Sequence, residues 1–351
     1  MSAPRASGAA RAAVIEGVGA CLPARVVGND EVAAGLQIDD AWIRRRVGIR
    51  ERRFADPGTA SGDLAVQAAR LALESCGAED VDLLVFTSTT PDWANCPATG
   101  PSVAARLGLR GSGAFDVSAA CSGFLYSAAL AAGLIAAGTA RRILVVAAET
   151  LTTIRDPADR NCAAILADGA GAVVLRAGEP DEPGALGRPA LGSDGEHAEL
   201  LVVPGGGSRQ RSSGRPAAAR DGYLRMVGKD TYRHAVLRMA ECSLTALGFA
   251  QWRAAEIDSF AAHQANVRIC DAVAERLGVE PAARLGNIER VGNTGAASLP
   301  LLLAQSAESG RLRPGHRVLL TAFGSGLTWA ATTLTWPDIR ALTAMAEPAA
   351  A

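Results

Sequence analysis

No stretch of this 351-residue chain is apolar over a length that crosses a bilayer. The nearest candidate, Ser127 to Gly138, is too short and too rich in alanine and glycine, and reads instead as a buried central helix. The first twenty residues are small and polar and hold no secretory h-region, so the expected compartment is the cytoplasm. Charge of one sign is also lacking. With 35 basic and 36 acidic residues the net charge is −1, without the broad positive field that nucleic acid requires. Membrane insertion and nucleic-acid binding are set aside on these grounds. The seven cysteines (Cys21, Cys76, Cys96, Cys121, Cys162, Cys242 and Cys270) are odd in number and include no C-x-x-C pair. That excludes a disulfide framework and a zinc ribbon, and predicts reduced thiols and no metal.

What is present is an internal repeat. Ala78-Glu79-Asp80-Val81-Asp82-Leu83-Leu84-Val85-Phe86 is echoed by Ala254-Ala255-Glu256-Ile257-Asp258-Ser259-Phe260-Ala261-Ala262, an offset of 176 residues. Arg141-Arg142-Ile143-Leu144-Val145-Val146 is echoed by His316-Arg317-Val318-Leu319-Leu320-Thr321, an offset of 175. Two matches at nearly one spacing predict two similar halves, residues 1–180 and 181–351. In each half a helical stretch (Asp63 to Ser75; Asp230 to Leu247) precedes alternating apolar runs and helices, the pattern of an α/β fold with helix-covered sheets. The Pro, Gly, Asp and Glu-rich segment Gly178 to Pro189 is the expected seam, and Gly205 to Ala219 reads as a mobile surface loop.

Three polar groups stand out against this apolar frame. Cys121 lies in Asp116-Val117-Ser118-Ala119-Ala120-Cys121-Ser122-Gly123-Phe124, His263 ends the apolar run Phe260-Ala261-Ala262, and Asn293 lies between Gly292 and Gly295. Singly they have plain explanations: a small buried thiol, a capping histidine, a turn asparagine. The repeat offset, however, places Cys121 opposite the Asn293-to-Ala297 loop, both at predicted helix starts (Ser122 and Ser298 onward). Helix starts favour negative charge, so a thiolate at Cys121 is expected. A thiol, an imidazole and an amide suit covalent acyl chemistry with donors for an oxyanion.

Together Asp-Val-Ser-Ala-Ala-Cys121-Ser-Gly-Phe, His263-Gln264-Ala265-Asn266-Val267-Arg268-Ile269, Gly292-Asn293-Thr294-Gly295-Ala296-Ala297-Ser298 and Ala322-Phe323-Gly324-Ser325-Gly326-Leu327-Thr328-Trp329 closely resemble the β-ketoacyl-acyl carrier protein synthase III family of the thiolase superfamily. The resemblance runs from about Val14 to Trp336 and includes Ala41 to Arg52 and Asp156 to Arg160. It implies a homodimer of thiolase-like, five-layered αβαβα subunits built from two duplicated halves. It further implies that Cys121 takes an acyl group from acyl-CoA as a thioester. Malonyl-acyl carrier protein then loses CO₂ and attacks as an enolate, giving a 3-oxoacyl-carrier protein for fatty-acid initiation or polyketide priming.

In that reading the first oxyanion sits on the backbone N–H groups of Cys121 and Ser325, and the second on His263 and Asn293. Asn293 is a donor only, since an amide takes no proton at neutral pH. Acyl-CoA is a substrate, and no cofactor is implied. Trp42, Arg46, Arg160 and Asn266 correspond to CoA contacts, Arg268 to a carrier-protein contact, and Cys96, Leu166, Met226 and Phe323 to the acyl pocket. Two departures matter. Glu275-Arg276 stands where a second basic carrier contact is expected. Cys96 precedes Pro97 where some members have a phenylalanine reaching into the partner's pocket, which predicts a roomier pocket and a starter larger than acetyl. No cysteine follows Cys270, so the second cysteine of a thiolase is missing and decarboxylative chemistry is favoured. The alternative is a non-condensing acyltransferase using the same acyl-Cys121; the retained asparagine speaks against it, as the intact Cys, His and Asn set does against a catalytically silent subunit.

Overall fold

The computed structural model describes residues 11–94 and 96–346. Strand β1 (Ala12–Leu22) is followed by a small ribbon of β2 (Arg25–Gly28) and β3 (Glu51–Phe54). Next come β4 (Leu83–Thr87), β5 (Gly113–Val117), β6 (Arg142–Thr150) and β7 (Asp168–Gly178). The second half has β8 (Ala190–Ser193) and a second ribbon, β9 (Leu201–Val202) with β10 (Arg225–Met226). It ends with β11 (Ser259–Ala262), β12 (Arg317–Gly324), β13 (Thr328–Thr335) and β14 (Ala341–Met345).

The central strands are buried on both faces, and their sequences say why. In β6, Ile143, Val145 and Ala147 face the core between the sheets, while Leu144, Val146 and Ala148 face the outer helix Ser61–Cys76. A continuous apolar run satisfies both faces of a helix-covered sheet, and each fully buried Leu, Ile or Val contributes about 1.5–3 kcal/mol. The same alternation in β12 sends Val318, Leu320 and Ala322 inward and Leu319 and Phe323 outward.

The two large sheets run β14-β1-β7-β6-β4-β5 and β11-β12-β13-β8. The series β1-β7-β6-β4 and β8-β13-β12-β11 correspond strand for strand: two antiparallel pairs, then a parallel one. Registers correspond too, Leu83 facing Ile143 in one sheet and Ser259 facing Val318 in the other, at the offsets of the sequence echoes. Even the edge contacts repeat: Asp82 accepts the Arg141 and Arg142 N–H groups, and Asp258 accepts that of Arg317. Helices Gly123–Ala136 and Ser298–Glu308 fill the layer between the sheets. Helix Ser61–Cys76 covers one outer face, and Gly228–Ala250 with Val267–Leu277 the other, which completes αβαβα.

Some expectations shift. The Gly205 to Ala219 loop contains a short exposed helix, Ser208–Ser212. Both helices predicted at Asp63–Ser75 and Asp230–Leu247 extend further, to Ser61–Cys76 and Gly228–Ala250. Ser127 to Gly138 lies largely in the central helix, and among the described residues no helix is long and apolar enough to cross a membrane. We retain a division of the halves at 180/181 as a proposal; β14, beyond it in sequence, returns to pair with β1 in the first sheet.

Candidate active site

Cys121 occupies a single 3₁₀ turn, Ala120–Ser122, between β5 and helix Gly123–Ala136. Ala120 before it has φ +46°, a left-handed conformation that costs a non-glycine residue about 1–3 kcal/mol and persists only under external restraint. The restraint is a pair of hydroxyls, Ser122 Oγ and Thr328 Oγ1, hydrogen-bonded to each other at 2.7 Å and lying 2.8 and 3.1 Å from the Ala119 carbonyl. Two glycines make room. A Cβ on Gly123 would stand 2.2 Å from Thr87 Oγ1, and one on Gly324 would stand 2.7 Å from the Cys121 nitrogen. The turn after β12 therefore lays its backbone against the Cys121 amide. Ser325 follows, its hydroxyl donated to the Leu201 carbonyl.

His263 leaves the carboxyl end of β11, 3% exposed, its N–H donated to the Thr321 carbonyl at 2.9 Å. Its Nδ1 is 2.9 Å from Ser298 Oγ, which also accepts the Gln264 N–H at 2.8 Å. Donation of the Ser298 hydroxyl proton to Nδ1 is the arrangement that gives that proton an acceptor while Oγ accepts the Gln264 N–H, and it places the imidazole proton on Nε2. Burial pushes the His263 pKa down to about 4, so the ring is neutral at pH 7.

Asn293, 6% exposed, is held by main-chain bonds to the Ile165 carbonyl and the Ala167 N–H, both 2.9 Å. Its Oδ1 accepts the Gly295 N–H at 2.9 Å. The acceptor end of the amide is thus occupied within its own loop, and Nδ2 is the end left to donate.

A cavity of about 510 Å³ joins Cys121, His263 and Asn293. Trp42, Arg46, Asn266, Arg268, Leu166, Met226, Phe323 and Ser325 line it as well. Asn266 also caps helix Val267–Leu277 by accepting the Arg268 N–H at 2.9 Å. Two expected residues lie elsewhere. Arg160 is exposed outside the cavity lining and reaches it only through Trp42, its guanidinium 5.8 Å from that ring's centroid. Cys96 is exposed and does not line the pocket of its own chain, because the loop after β4 carries it to the surface.

The thiolate expectation needs correction. Burial first, and the Glu149 carboxylate second, push the Cys121 thiol up to about 12. A helix start is worth at most about 2 kcal/mol, or roughly 1.5 pK units, in the opposite direction. At neutral pH Cys121 is then a protonated thiol and His263 a neutral imidazole, both lining the one cavity.

Three site residues escaped sequence reasoning. Glu149, fully buried at the end of β6, accepts main-chain N–H groups of Thr89, Thr90 and Ala296 at 3.0–3.2 Å and the Thr90 hydroxyl at 2.9 Å. It ties the first half to the Gly295–Ala297 turn; burial raises its pKa against those donors. An acid closing the apolar run Val145-Val146-Ala147-Ala148 was the available signal. Ser298 was visible only as part of a motif. Lys229, the single lysine of the chain, lines the cavity and carried no sequence signal beyond its rarity.

Comparison with known proteins gives the same reading. Residues 115–195 match the family model of 3-oxoacyl-[acyl-carrier-protein (ACP)] synthase III, and residues 247–336 match its C-terminal model. The chain is 50% identical over 331 residues to β-ketoacyl-[acyl-carrier-protein] synthase III 5 of Streptomyces coelicolor, covering 94% of this chain and 99% of the relative. The crystal structure of 3-oxoacyl-(acyl carrier protein) synthase III from Pseudomonas aeruginosa superposes with a TM-score of 0.87 at 46% identity, covering 94% of this chain and 99% of that one. The priming β-ketosynthase of the R1128 polyketide pathway superposes with a TM-score of 0.86 at 34% identity, covering 96% and 99%. A thiol, an imidazole and an amide converge in one cavity of a duplicated α/β fold with near-full-length relatives, and the chain accordingly belongs to the β-ketoacyl-[acyl-carrier-protein] synthase III family of condensing enzymes.

Proposed function

We propose that the protein is an acyltransferase acting in two half-reactions in the cytoplasm, as a homodimer and without a cofactor. In the first, Cys121 Sγ attacks the thioester carbon of an acyl-CoA. The C–S bond to CoA breaks, the thiol proton leaves with the CoA sulfur, and an acyl-Cys121 thioester remains. The backbone N–H groups of Cys121 and Ser325 hold the transient oxyanion, in keeping with the close approach that Gly324 permits. In the second, malonyl-acyl carrier protein loses CO₂, and the electrons of the broken C–C bond pass into an enolate whose oxygen takes hydrogen bonds from His263 Nε2 and Asn293 Nδ2. The enolate carbon then attacks the acyl-Cys121 carbonyl, releasing 3-oxoacyl-carrier protein and the Cys121 sulfur, which regains a proton.

The observation that carries this reading is how the two side chains are held: the Gly295 N–H occupies Asn293 Oδ1, and His263 Nδ1 lies 2.9 Å from Ser298 Oγ, which leaves Asn293 Nδ2 and, in the Nε2–H tautomer, His263 Nε2 to donate. Two donors with no competing base suit an enolate, which simple acyl transfer does not form. Trp42, Arg46, Lys229 and Asn266 surround the CoA arm, with Arg160 stacked behind Trp42. Arg268 meets the carrier protein. The acyl chain lies among Leu166, Leu224, Met226 and Phe323. Cys96 enters the partner subunit's pocket, leaving space for a starter longer than acetyl.

The test is intact-mass analysis with a panel of acyl-CoAs, followed by release of labelled CO₂ from malonyl-carrier protein. A mass gain that requires Cys121, then CO₂ released in step with product, is the expected result. Acylation without decarboxylation would replace condensation by simple transfer, and a preference for acetyl-CoA over every longer starter would overturn the pocket assignment.

A further inference from the structure

The chain has four histidines, and two of them meet away from the cysteine cavity. His197 lies in the turn Gly195–Leu200 after β8, and His234 in the second turn of helix Gly228–Ala250. Their ring centroids are 4.5 Å apart. Asp194 completes the group: Oδ1 accepts the Glu196 N–H at 3.1 Å, and Oδ2 lies 2.9 Å from His197 Nδ1. One donor atom from each of the three falls within 4.8 Å of the others. His234 Nδ1 is buried with no hydrogen-bond partner, an unsatisfied position that the ordinary reading of an Asp–His surface pair leaves unexplained.

Two imidazoles and one carboxylate form the donor set of borderline divalent metals. Around a tetrahedral Zn²⁺ with bonds near 2.0–2.1 Å, donor atoms stand about 3.3 Å apart; Asp194 Oδ2 and His197 Nδ1 are 2.9 Å apart as a hydrogen-bonded pair, and all three donor atoms lie within 4.8 Å, so small side-chain rotations bring them to that spacing. The frame is firm on both sides. Asp194 exchanges both main-chain hydrogen bonds with Leu327, at 2.9 and 2.8 Å, just beyond the turn that carries Ser325. His234 sits on a helix of 23 residues. The Asp194 carboxylate supplies the site's own negative charge. Arg238, one turn on, is paired with Glu241 at 3.2 Å and stacked 4.9 Å from the Trp329 ring, though its charge still acts on Asp194 and His234, as that of the exposed Arg233 does on His234; Glu196 and Glu199 lie beside His197 in sequence.

We propose that Asp194, His197 and His234 bind a divalent transition-metal ion, with Zn²⁺ the best match, clipping helix Gly228–Ala250 to the strand edge behind the Ser325 turn. None of the three lines the cavity of Cys121, so the ion is a staple and not a reagent.

The test uses the full chain in a Cys121→Ala background, which removes the active-site thiol as a competing ligand. Protein stripped with chelator is titrated with Zn²⁺ against a chromophoric chelator and, separately, with Co²⁺ monitored by visible absorption. One equivalent should bind, Co²⁺ should give the intense bands of a low-coordinate site, and Zn²⁺ should raise the melting temperature. His234→Val and His197→Gln should each weaken Zn²⁺ binding at least tenfold and abolish the thermal shift while the metal-free melting temperature stays put. If one variant fails to fold, the other carries the test. Zn²⁺ affinity unchanged in the variants, or Co²⁺ absorption no stronger than that of the aquo ion, overturns the proposal.

Discussion

Replacing Ser298 by alanine removes one oxygen, 2% exposed, that performs two tasks: accepting the Gln264 N–H and holding His263 Nδ1. The first loss strands a buried donor, since Gln264 is itself 2% exposed, and costs about 1–3 kcal/mol of stability. The second frees the imidazole to change tautomer or turn, and a hydrogen bond worth about 1–2 kcal/mol in the transition state corresponds to roughly 5- to 30-fold in rate. The two effects separate in the assay. Single-turnover decarboxylation of malonyl-carrier protein by preformed acyl-enzyme should slow by that factor, while acylation by acyl-CoA, read by intact mass, should proceed at the wild-type rate. Nitrogen NMR of the ring should move from an Nε2–H tautomer toward a mixture. A variant that is less stable but decarboxylates normally would refute the orienting role, and equal slowing of both half-reactions would show that the whole site, not the imidazole, had been disturbed.

Asn293→Asp exchanges the donor end for a carboxylate beside the Gly295 N–H, and condensation should fall about 10²- to 10³-fold with Cys121 acylation retained; comparable losses in both steps would contradict the enolate assignment. Since the Cys121 thiol is pushed up to about 12, its alkylation rate should keep rising with pH through neutrality, and a plateau below pH 8 would reveal a stabilised thiolate instead. His263 has a folded pKa of about 4, below the unfolded value near 6.5, so the unfolded state binds the extra proton; stability is full above pH 6.5 and falls, by about 3 kcal/mol in total, as pH drops toward 4. Comparison of wild type with His263→Ala by denaturant titration at several pH values isolates that loss, and identical pH profiles would disprove it. Glu149→Ala should destabilise by at least about 3 kcal/mol, because the Thr89, Thr90 and Ala296 N–H groups lose a common acceptor; a melting temperature within error of wild type would exclude that role.

The fold was legible because duplication leaves arithmetic in the chain. Strand registers that must match to pack against the same central helices keep Leu83 and Ser259, and Ile143 and Val318, at nearly constant separation. Cys121, His263 and Asn293 were legible because each is a polar residue ending or interrupting an apolar run, at the carboxyl edge of a strand or the start of a helix. Glu149 and Ser298 were not singled out, because their significance lies in partners 147 and 35 residues away, a distance no local pattern encodes. Arg160 and Cys96 were named from motif position, one as a CoA contact and one on the loop that reaches the partner's acyl pocket; both are exposed, and Arg160 stacks on Trp42.

By itself, then, the amino-acid sequence pointed to a duplicated α/β architecture through its repeat, and to Cys121, His263 and Asn293 through motifs that together resemble the synthase III family. Taken singly, each of the three side chains has a plainer reading, so their roles came from the ordered set of motifs and not from composition or periodicity. Only the tertiary structure decided which way the amide and the imidazole face, whether the thiol rests ionised, and that Asp194, His197 and His234 converge. Those properties depend on desolvation and on hydrogen-bond geometry between residues far apart in the chain, and neither exists until the chain has folded.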